Sequence, residues 1–285
     1  MKEITVISGK GGTGKTSLVG SFAALASGAV FADCDVDAAN LSLIMRPRLK
    51  ETTVFKASRE AFILSDKCNK CGLCRELCRF GAITEDFRVD PLSCEGCGVC
   101  FYACPEKAIS YEEVISGHWF VSDTPYGPLV HAKLGVAEEN SGKLVTTVRN
   151  KAREIAEEEN KKLILTDGPP GIGCPVIASL ANSSLALIVT EPTLSGIHDM
   201  ERVIKVCSHF RVQPCVCINR YDLDEGNARE IEKYCRQNKV PVAGKIPFDK
   251  LVTESMVQGV PVVEFTDSPV SRSIVKTWKY LKNNL

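Results

Sequence analysis

The chain lacks an excess of charge of either sign. Its 285 residues include 35 basic and 35 acidic side chains, and no long block of like charge marks a nucleic-acid-binding arm. No apolar run approaches the roughly 18 residues of a membrane-spanning helix, and the first residues show no signal-peptide pattern. The sequence therefore predicts a cytoplasmic protein with neither a nucleic-acid nor a membrane partner.

Histidine is also scarce, since there are four, none in HxxxH spacing. Hydrophobic residues make up 44% of the chain and charged residues 25%, which excludes a disordered or collagen-like chain. The length suits one large α/β domain, or an ordinary domain with a small insert.

Apolar runs alternate with helix-like segments at both ends of the chain. Continuous apolar strands separated by helices predict a parallel sheet covered on both faces, with ligands at the carboxyl ends of its strands. The predicted strands are Lys2–Ser8, Leu163–Thr166, Leu185–Thr190, Cys215–Asn219 and Val242–Ile246; the predicted helices are Thr16–Ser27, Leu144–Glu159, Gly196–Phe210, Ala228–Asn238 and two short C-terminal helices.

Cysteine is abundant, at 14 residues. In a reducing compartment, such abundance favours metal binding or catalysis over disulfides. Eight of the cysteines lie in 61–113, which we predict to be an inserted domain between a first part, 1–60, and a second part, 114–285, of the main domain. The segment from Ile115 to Gly142 is poorly periodic and yields no prediction of its structure.

The segment Gly9–Thr16 matches GxxxxGKT, a phosphate-binding loop, between a predicted strand and helix. Glycines let main-chain N–H groups converge on phosphate, while Lys15 offers a charge and the Thr16 hydroxyl can bind Mg²⁺. The alternative is a glycine-rich turn that ends in Lys-Thr by chance. The predicted ATP-binding residues of this segment are Gly11, Gly12, Thr13, Gly14, Lys15, Thr16 and Ser17.

Lys10 makes this loop the deviant Walker A form, KGGxGKT. The loop resembles that of the MinD/ParA family, which includes the nitrogenase iron protein and the Mrp-type iron–sulfur carriers. The resemblance implies an ATPase in which Lys10 reaches the partner's ATP across a homodimer, or a heterodimer with a similar ATPase. From the loop alone, Lys10 could equally be a solvated side chain.

Three further stretches resemble the same family. Asp35, in Phe31–Asp37, matches the aspartate that orients the attacking water and the Mg²⁺ shell, and Asp167, after an apolar run, matches the second Mg²⁺ carboxylate. Asn219 matches the amide that contacts adenine, and Gly244–Asp249 matches the loop over the base. We therefore expect Lys10, Lys15 and Asp35 to be catalytic, and Thr16, Asp35 and Asp167 to bind Mg²⁺. Without the resemblance, each aspartate could be a helix cap or a turn residue.

Two cysteine runs, CxxCxxCxxxC and CxxCxxCxxxCP, resemble the two-cluster bacterial ferredoxins. In that pattern the fourth cysteine of each run binds the other [4Fe–4S] cluster. Zinc is the alternative, although zinc sites usually pair two CxxC knuckles. The first run lacks the usual proline after its last cysteine. The expected ligands are Cys68, Cys71, Cys74 and Cys104 for cluster 1, and Cys94, Cys97, Cys100 and Cys78 for cluster 2.

The other six cysteines are expected to pack as small apolar side chains. Cys174 is the exception, because it follows the loop after Asp167, where the nitrogenase iron protein and the Mrp-type carriers place bridging cluster ligands, although a matching CxxC is absent here. The C-terminal segment Val270–Leu285 is expected to be a helix docked on the core.

The sequence thus predicts an α/β, parallel-sheet P-loop NTPase with an inserted small α+β ferredoxin domain. The expected cofactors are ATP, Mg²⁺ and two [4Fe–4S] clusters. The expected function is nucleotide-gated electron transfer to a redox partner. Two alternatives stay open: an ATP-dependent iron–sulfur scaffold or carrier that delivers clusters to an acceptor protein, and a MinD/ParA-like spatial-organisation ATPase.

Overall fold

The fold was analysed in a computed structural model, which describes residues 1–135 and 141–285. The chain divides into two compact units. Unit 1 comprises Met1–Thr53, Trp119–Lys133 and Ser141–Leu285. Unit 2 comprises Val54–His118 and a short piece that begins at Leu134. The cysteine-rich segment 61–113 lies within unit 2.

The strands are β1 (Lys2–Ser8), β2 (Ala29–Asp33), β3 (Arg48–Ile63), β4 (Ile109–Thr124), β5 (Gly127–Leu134), β6 (Leu163–Pro170), β7 (Leu185–Thr190), β8 (Gln213–Asn219) and β9 (Val242–Ile246). The helices are α1 (Lys15–Leu25), α2 (Leu41–Met45), α3 (Leu73–Leu77), α4 (Val99–Ala103), α5 (Ser141–Glu158), α6 (Cys174–Leu180), α7 (Leu194–His209), α8 (Glu225–Gln237), α9 (Lys250–Val257), α10 (Val262–Phe265) and α11 (Pro269–Asn283). A 3₁₀ turn spans Tyr221–Leu223.

Unit 1 is built on a sheet with the strand order β5-β2-β6-β1-β7-β8-β9, which the unit 1 parts of β4 and β3 continue beyond β5. Parallel pairs join β1 to β6 and β7, β2 to β5 and β6, and β8 to β7 and β9. The predicted α/β fold with a parallel sheet is confirmed. Because these strands run in one direction, their carboxyl ends meet at one edge, where ligands bind in such sheets.

Apolar cores fill both faces of this sheet. In β1, Ile4 and Val6 belong to one core and Ile7 to the other, as the two-residue period of a strand requires. The first core includes the rings of Phe22 in α1 and Trp278 in α11, which stack with centroids 5.3 Å apart. Helix α11 therefore packs on the core. Over the described ranges, no helix is both long and apolar enough to cross a membrane.

Unit 2 contains two five-residue helices with matching starts. The residues before α3 and α4 are Gly72 and Gly98, with φ of 86° and 74°, a conformation that glycine adopts at no steric cost. A small core surrounds them, formed by Ala61, Cys74, Ile83 and Ile109. The two halves of the cysteine pattern thus form similar local structures.

The structure differs from the sequence predictions in several elements; for example, α2 and α6 were not predicted. The C-terminal part has three helices, α9 to α11, and the last is 15 residues long rather than short. The unassigned stretch 115–142 contains the end of β4 and all of β5, joined where the Thr124 hydroxyl donates to the Gly127 carbonyl at 2.7 Å. Residues 136–140 of that stretch lie outside the described residues. Strand β3 was not predicted, because its polar side chains do not alternate cleanly with apolar ones.

Candidate functional site

The phosphate loop joins β1, in the middle of the sheet, to α1. Gly12 and Gly14 have φ of 79° and 88°, so the loop needs glycine at both positions. Lys15 is the first residue of α1 and only 5% exposed, and no acidic residue follows it in the first turn. The free N–H groups at this helix start are therefore available to an anion, with no acidic side chain in the helix's own first turn.

The loop forms one wall of an open cleft of about 680 Å³ in unit 1, a size typical of small-molecule sites. Further lining residues come from the segment that follows β2 and from the end of β6. The loop residues that line the cleft are Gly11, Gly12, Gly14, Lys15, Thr16 and Ser17. The other lining residues include Asp35, Asp37, Asn40, Pro169, Pro170 and Arg220. The structure thus brings most of the predicted ATP-binding residues together at one cleft.

Two carboxylates, those of Asp35 and Asp167, interact with the Lys15 ammonium, and a third, that of Asp33, interacts with both of them. Asp33 is fully buried and accepts hydrogen bonds from the main-chain N–H groups of Leu41 (3.1 Å) and Asp35 (3.2 Å), so it holds the segment after β2 in place. Burial, together with the charge of Asp167, raises the pKa of Asp33 well above its ordinary value. Burial also raises the pKa of Asp35, although the Lys15 ammonium opposes this shift.

Asp167 is 1% exposed, and within the described part of the chain neither of its carboxylate oxygens has a hydrogen-bond partner. Burial raises the pKa of Asp167, while the Lys15 ammonium and the nearby Thr16 hydroxyl lower it. A buried carboxylate without a partner is unfavourable, and the hydroxyl and carboxylate oxygens of Thr16, Asp35 and Asp167 are the ligand types that Mg²⁺ prefers. Thr16, Asp35 and Asp167 are therefore chemically suited to bind a divalent cation.

The Lys10 side chain contacts residues that follow β7. Its Nζ donates to the hydroxyls of Ser195 (3.2 Å) and Thr193 (3.3 Å) and lies 3.6 Å from Glu191 Oε2. It is not among the described residues that line the cleft. In the single chain, Lys10 is thus separate from Lys15 and Asp35, with which the sequence grouped it.

Asn219, at the end of β8, contacts the phosphate loop and supports it. It is 9% exposed, and its Nδ2 donates to the Thr13 carbonyl at 2.8 Å. A smaller pocket of about 70 Å³ beside it is lined by Gly14, Ser17, Asn219 and residues of the predicted base loop, Pro247, Phe248 and Asp249. The main-chain N–H of Phe248 donates to Asp222 Oδ1 at 2.7 Å, which fixes that loop.

Arg220 was missed by the sequence analysis. It lines both the main cleft and the small pocket, and its Nη1 lies 2.5 Å from Glu191 Oε1. The only signal in the sequence was its position directly after Asn219 at a predicted strand end. Such a position does not distinguish a site residue from an ordinary surface arginine.

The eight cysteines of the two runs line two pockets in unit 2, four to each pocket. Cys104 lines the first pocket with three cysteines of the first run, and Cys78 lines the second with three of the second run. The first set is Cys68, Cys71, Cys74 and Cys104, and the second is Cys78, Cys94, Cys97 and Cys100. These two sets contain the same cysteines as the ligand sets expected for cluster 1 and cluster 2.

Apolar side chains complete both pockets, including Ile63 and Phe87 in the first and Ala61 and Ile83 in the second. The main-chain N–H of Ala108 donates to Cys104 Sγ at 3.3 Å, the kind of contact that tunes a sulfur ligand. In the described part of the chain, no three His, Cys, Asp or Glu side chains are grouped to hold a single metal ion.

Cys174 is the exposed first residue of α6, directly after the loop that follows β6. It belongs to neither cysteine pocket. The other five cysteines outside unit 2 are buried, as expected for packing.

Comparison with known proteins identifies the family. The chain is 34% identical over 283 residues to the uncharacterized protein MJ0578 of Methanocaldococcus jannaschii, covering 98% of this chain and 96% of that protein. It is 27% identical over 138 residues to the iron-sulfur cluster carrier protein of Pyrococcus horikoshii, which covers 43% of this chain and 45% of that protein.

Among solved structures, the septum site-determining protein MinD complexed with Mg-ADP, from P. horikoshii, has the same fold. The TM-score is 0.60 at 19% sequence identity, with 98% of this chain and 95% of that chain covered. The sequence model of the CobQ/CobB/MinD/ParA nucleotide binding domain matches residues 4–262. The chain therefore belongs to the CobQ/CobB/MinD/ParA family of nucleotide-binding domains.

Proposed function

We propose that the protein is an ATP-hydrolysing iron–sulfur protein. In this proposal a nucleotide-dependent dimer gates electron transfer through two [4Fe–4S] clusters to a redox partner. The observation that supports it most is the sorting of eight cysteines into two pockets of four, in a chain that also contains a phosphate loop and its cleft.

On the nucleotide side, each residue has a distinct role. The loop N–H groups and Lys15 bind the β and γ phosphates, and Asp35 orients the water that attacks the γ phosphate, giving ADP and phosphate. Mg²⁺, held by Thr16, Asp35 and Asp167, supplies the charge that neutralises the phosphates. Phosphoryl transfer depends mainly on such positioning and charge neutralisation. The buried Asp167 carboxylate, whose oxygens have no hydrogen-bond partner among the described residues, supports a cation at this position.

On the cysteine side, the four thiols of each pocket bind one cluster as thiolates. The clusters supply one-electron redox chemistry. Apolar side chains form much of the lining of each pocket, which favours clusters that are retained. Zinc is disfavoured because each pocket gathers three thiols of one run and the last thiol of the other, as in two-cluster ferredoxins.

The test is an anaerobic EPR measurement on the dithionite-reduced protein, with and without Mg-ATP, repeated after gel filtration in a chelator. Two [4Fe–4S] signals that survive the chelator and change with ATP are expected. Dimer formation is followed in the same samples by sedimentation velocity. A protein that binds no iron after anaerobic reconstitution would contradict the redox assignment.

The second candidate is an ATP-dependent cluster scaffold or carrier, favoured by the 27% identity to an iron-sulfur cluster carrier protein. Such a protein releases its clusters, so the EPR signals would be lost to the chelator, and faster with ATP. The fold shared with MinD is the reason to test spatial organisation as well. Pelleting with DNA or lipid vesicles that depends on ATP would favour that third candidate.

A further inference from the structure

Glu191 lies between two cations at the edge of the nucleotide cleft. Its Oε1 is 2.5 Å from Arg220 Nη1, and its Oε2 is 3.6 Å from Lys10 Nζ. The Glu191 side chain is 14% exposed, the Lys10 side chain 31% and the Arg220 side chain 38%. One partly buried carboxylate is thus shared by two cations.

The sheet topology produces this arrangement. Strands β7 and β8 are parallel neighbours, and Thr190 pairs with Ile218. Glu191 and Arg220 both lie just beyond the ends of these paired strands, while Lys10 lies beyond the end of β1, on the other side of β7. Arg220 has a φ of 55°, an unusual value for a residue other than glycine.

The two cations are held unequally. The Arg220 contact is a short, charge-assisted hydrogen bond, of the strong kind. Lys10 instead has a longer ion pair and two hydroxyl contacts of 3.2 and 3.3 Å. When Lys10 leaves, Glu191 therefore keeps its principal partner, and no partly buried carboxylate is left unpaired. Leaving one unpaired would be costly.

We propose that Arg220 is a positioning residue for Lys10: it neutralises Glu191, so that Lys10 is free to leave for a second copy of this chain with bound nucleotide. The proposal rests on the proposed function, in which Lys10 bridges an ATP-dependent dimer. Without Arg220, Lys10 would be the one remaining cation paired with Glu191 among the described residues, and Glu191 would hold it within its own chain.

The test compares dimer dissociation constants by sedimentation velocity, using the cluster-loaded full chain with Mg²⁺ and a saturating non-hydrolysable ATP analogue. Because Arg220 also lines the cleft, the affinity of each variant for the analogue is measured first by calorimetry. We expect R220A to weaken the dimer about three- to tenfold, the range of a partly buried ion pair, and R220K to weaken it less. We expect E191Q to strengthen the dimer and the double variant E191Q/R220A to recover at least wild-type affinity.

The recovery in the double variant is the critical result, because a merely structural role for Arg220 predicts a dimer as weak as that of R220A, or weaker. If the wild-type protein dimerises but the double variant does not recover wild-type affinity, this inference is overturned and the proposed function still stands. A wild-type protein that stays monomeric with the analogue would overturn both. If R220A does not fold, S195A provides the second test, since it removes one hydroxyl that holds Lys10. If neither S195A nor E191Q dimerises more tightly than the wild-type protein, the inference is overturned.

Discussion

The side-chain amide of Asn219 donates a 2.8 Å hydrogen bond to the main-chain carbonyl of Thr13. The end of β8 thereby holds the phosphate loop, which begins at the end of β1. The contact is tight, because a Cβ on Gly14 would overlap the Asn219 amide nitrogen. The predicted adenine-contacting residue therefore also supports the loop that binds phosphate.

Replacement of Asn219 by alanine should weaken ATP binding and destabilise unit 1. The Thr13 carbonyl would lose its buried partner, at a cost of about 1 to 3 kcal/mol, and we expect a roughly tenfold loss of ATP affinity by calorimetry. N238A is the matched control, since the Asn238 amide also donates to a carbonyl, that of Tyr234, but at an exposed position. Equal effects of the two variants would contradict the supporting role of Asn219.

Replacement of Lys15 by alanine should abolish ATP hydrolysis, since the other lysine of the loop, Lys10, is not among the described residues that line the cleft of its own chain. We expect a loss of at least about a hundredfold in kcat, with the brown colour and iron content unchanged because the cysteine pockets lie in the other unit. K233A is the control, because Lys233 pairs with Glu230 at an exposed position on α8. Normal ATPase activity in K15A would rule out the assigned site.

Asp167 should make the nucleotide-free protein less stable as the pH rises. Burial raises its pKa in the folded state, so the folded protein binds more protons than the unfolded chain above the ordinary value of 3.8. Stability contributed by the protonated form is therefore lost as the pH rises towards the folded-state pKa. Asp33, whose pKa is raised as well, contributes with the same sign.

The variant D167N isolates this effect. In EDTA, thermal unfolding between about pH 5 and 8 should show a smaller loss of stability than in wild type, with a gain near neutral pH of about 1 to 3 kcal/mol. With Mg-ATP the order should reverse, because the variant lacks a cation ligand. D267N, at an exposed position, should follow wild type. A D167N protein that Mg-ATP stabilises fully would contradict the cation site.

The sequence was most informative where one local pattern determines one structure. The glycines at 12 and 14 and the apolar strand Lys2–Ser8 predicted the loop and the parallel sheet, because positive φ and continuous burial leave strong signals. The partners of Lys10 could not be predicted, since Glu191 is about 180 residues away along the chain and the pairing of β1 with β7 brings the two together. Strand β3 was missed because charged residues interrupt its period.

The cysteine pockets permit a test of ligand pairing by iron content. In the swapped arrangement, Cys71 and Cys104 belong to one pocket, so C71S/C104S should lose one cluster and keep about four iron atoms. Cys97 and Cys104 belong to different pockets, so C97S/C104S should lose both clusters. If each run instead held its own cluster, the two results would be exchanged. Because both variants remove two thiols and share the Cys104 substitution, anaerobic iron analysis and EPR of this matched pair distinguish the two pairings directly.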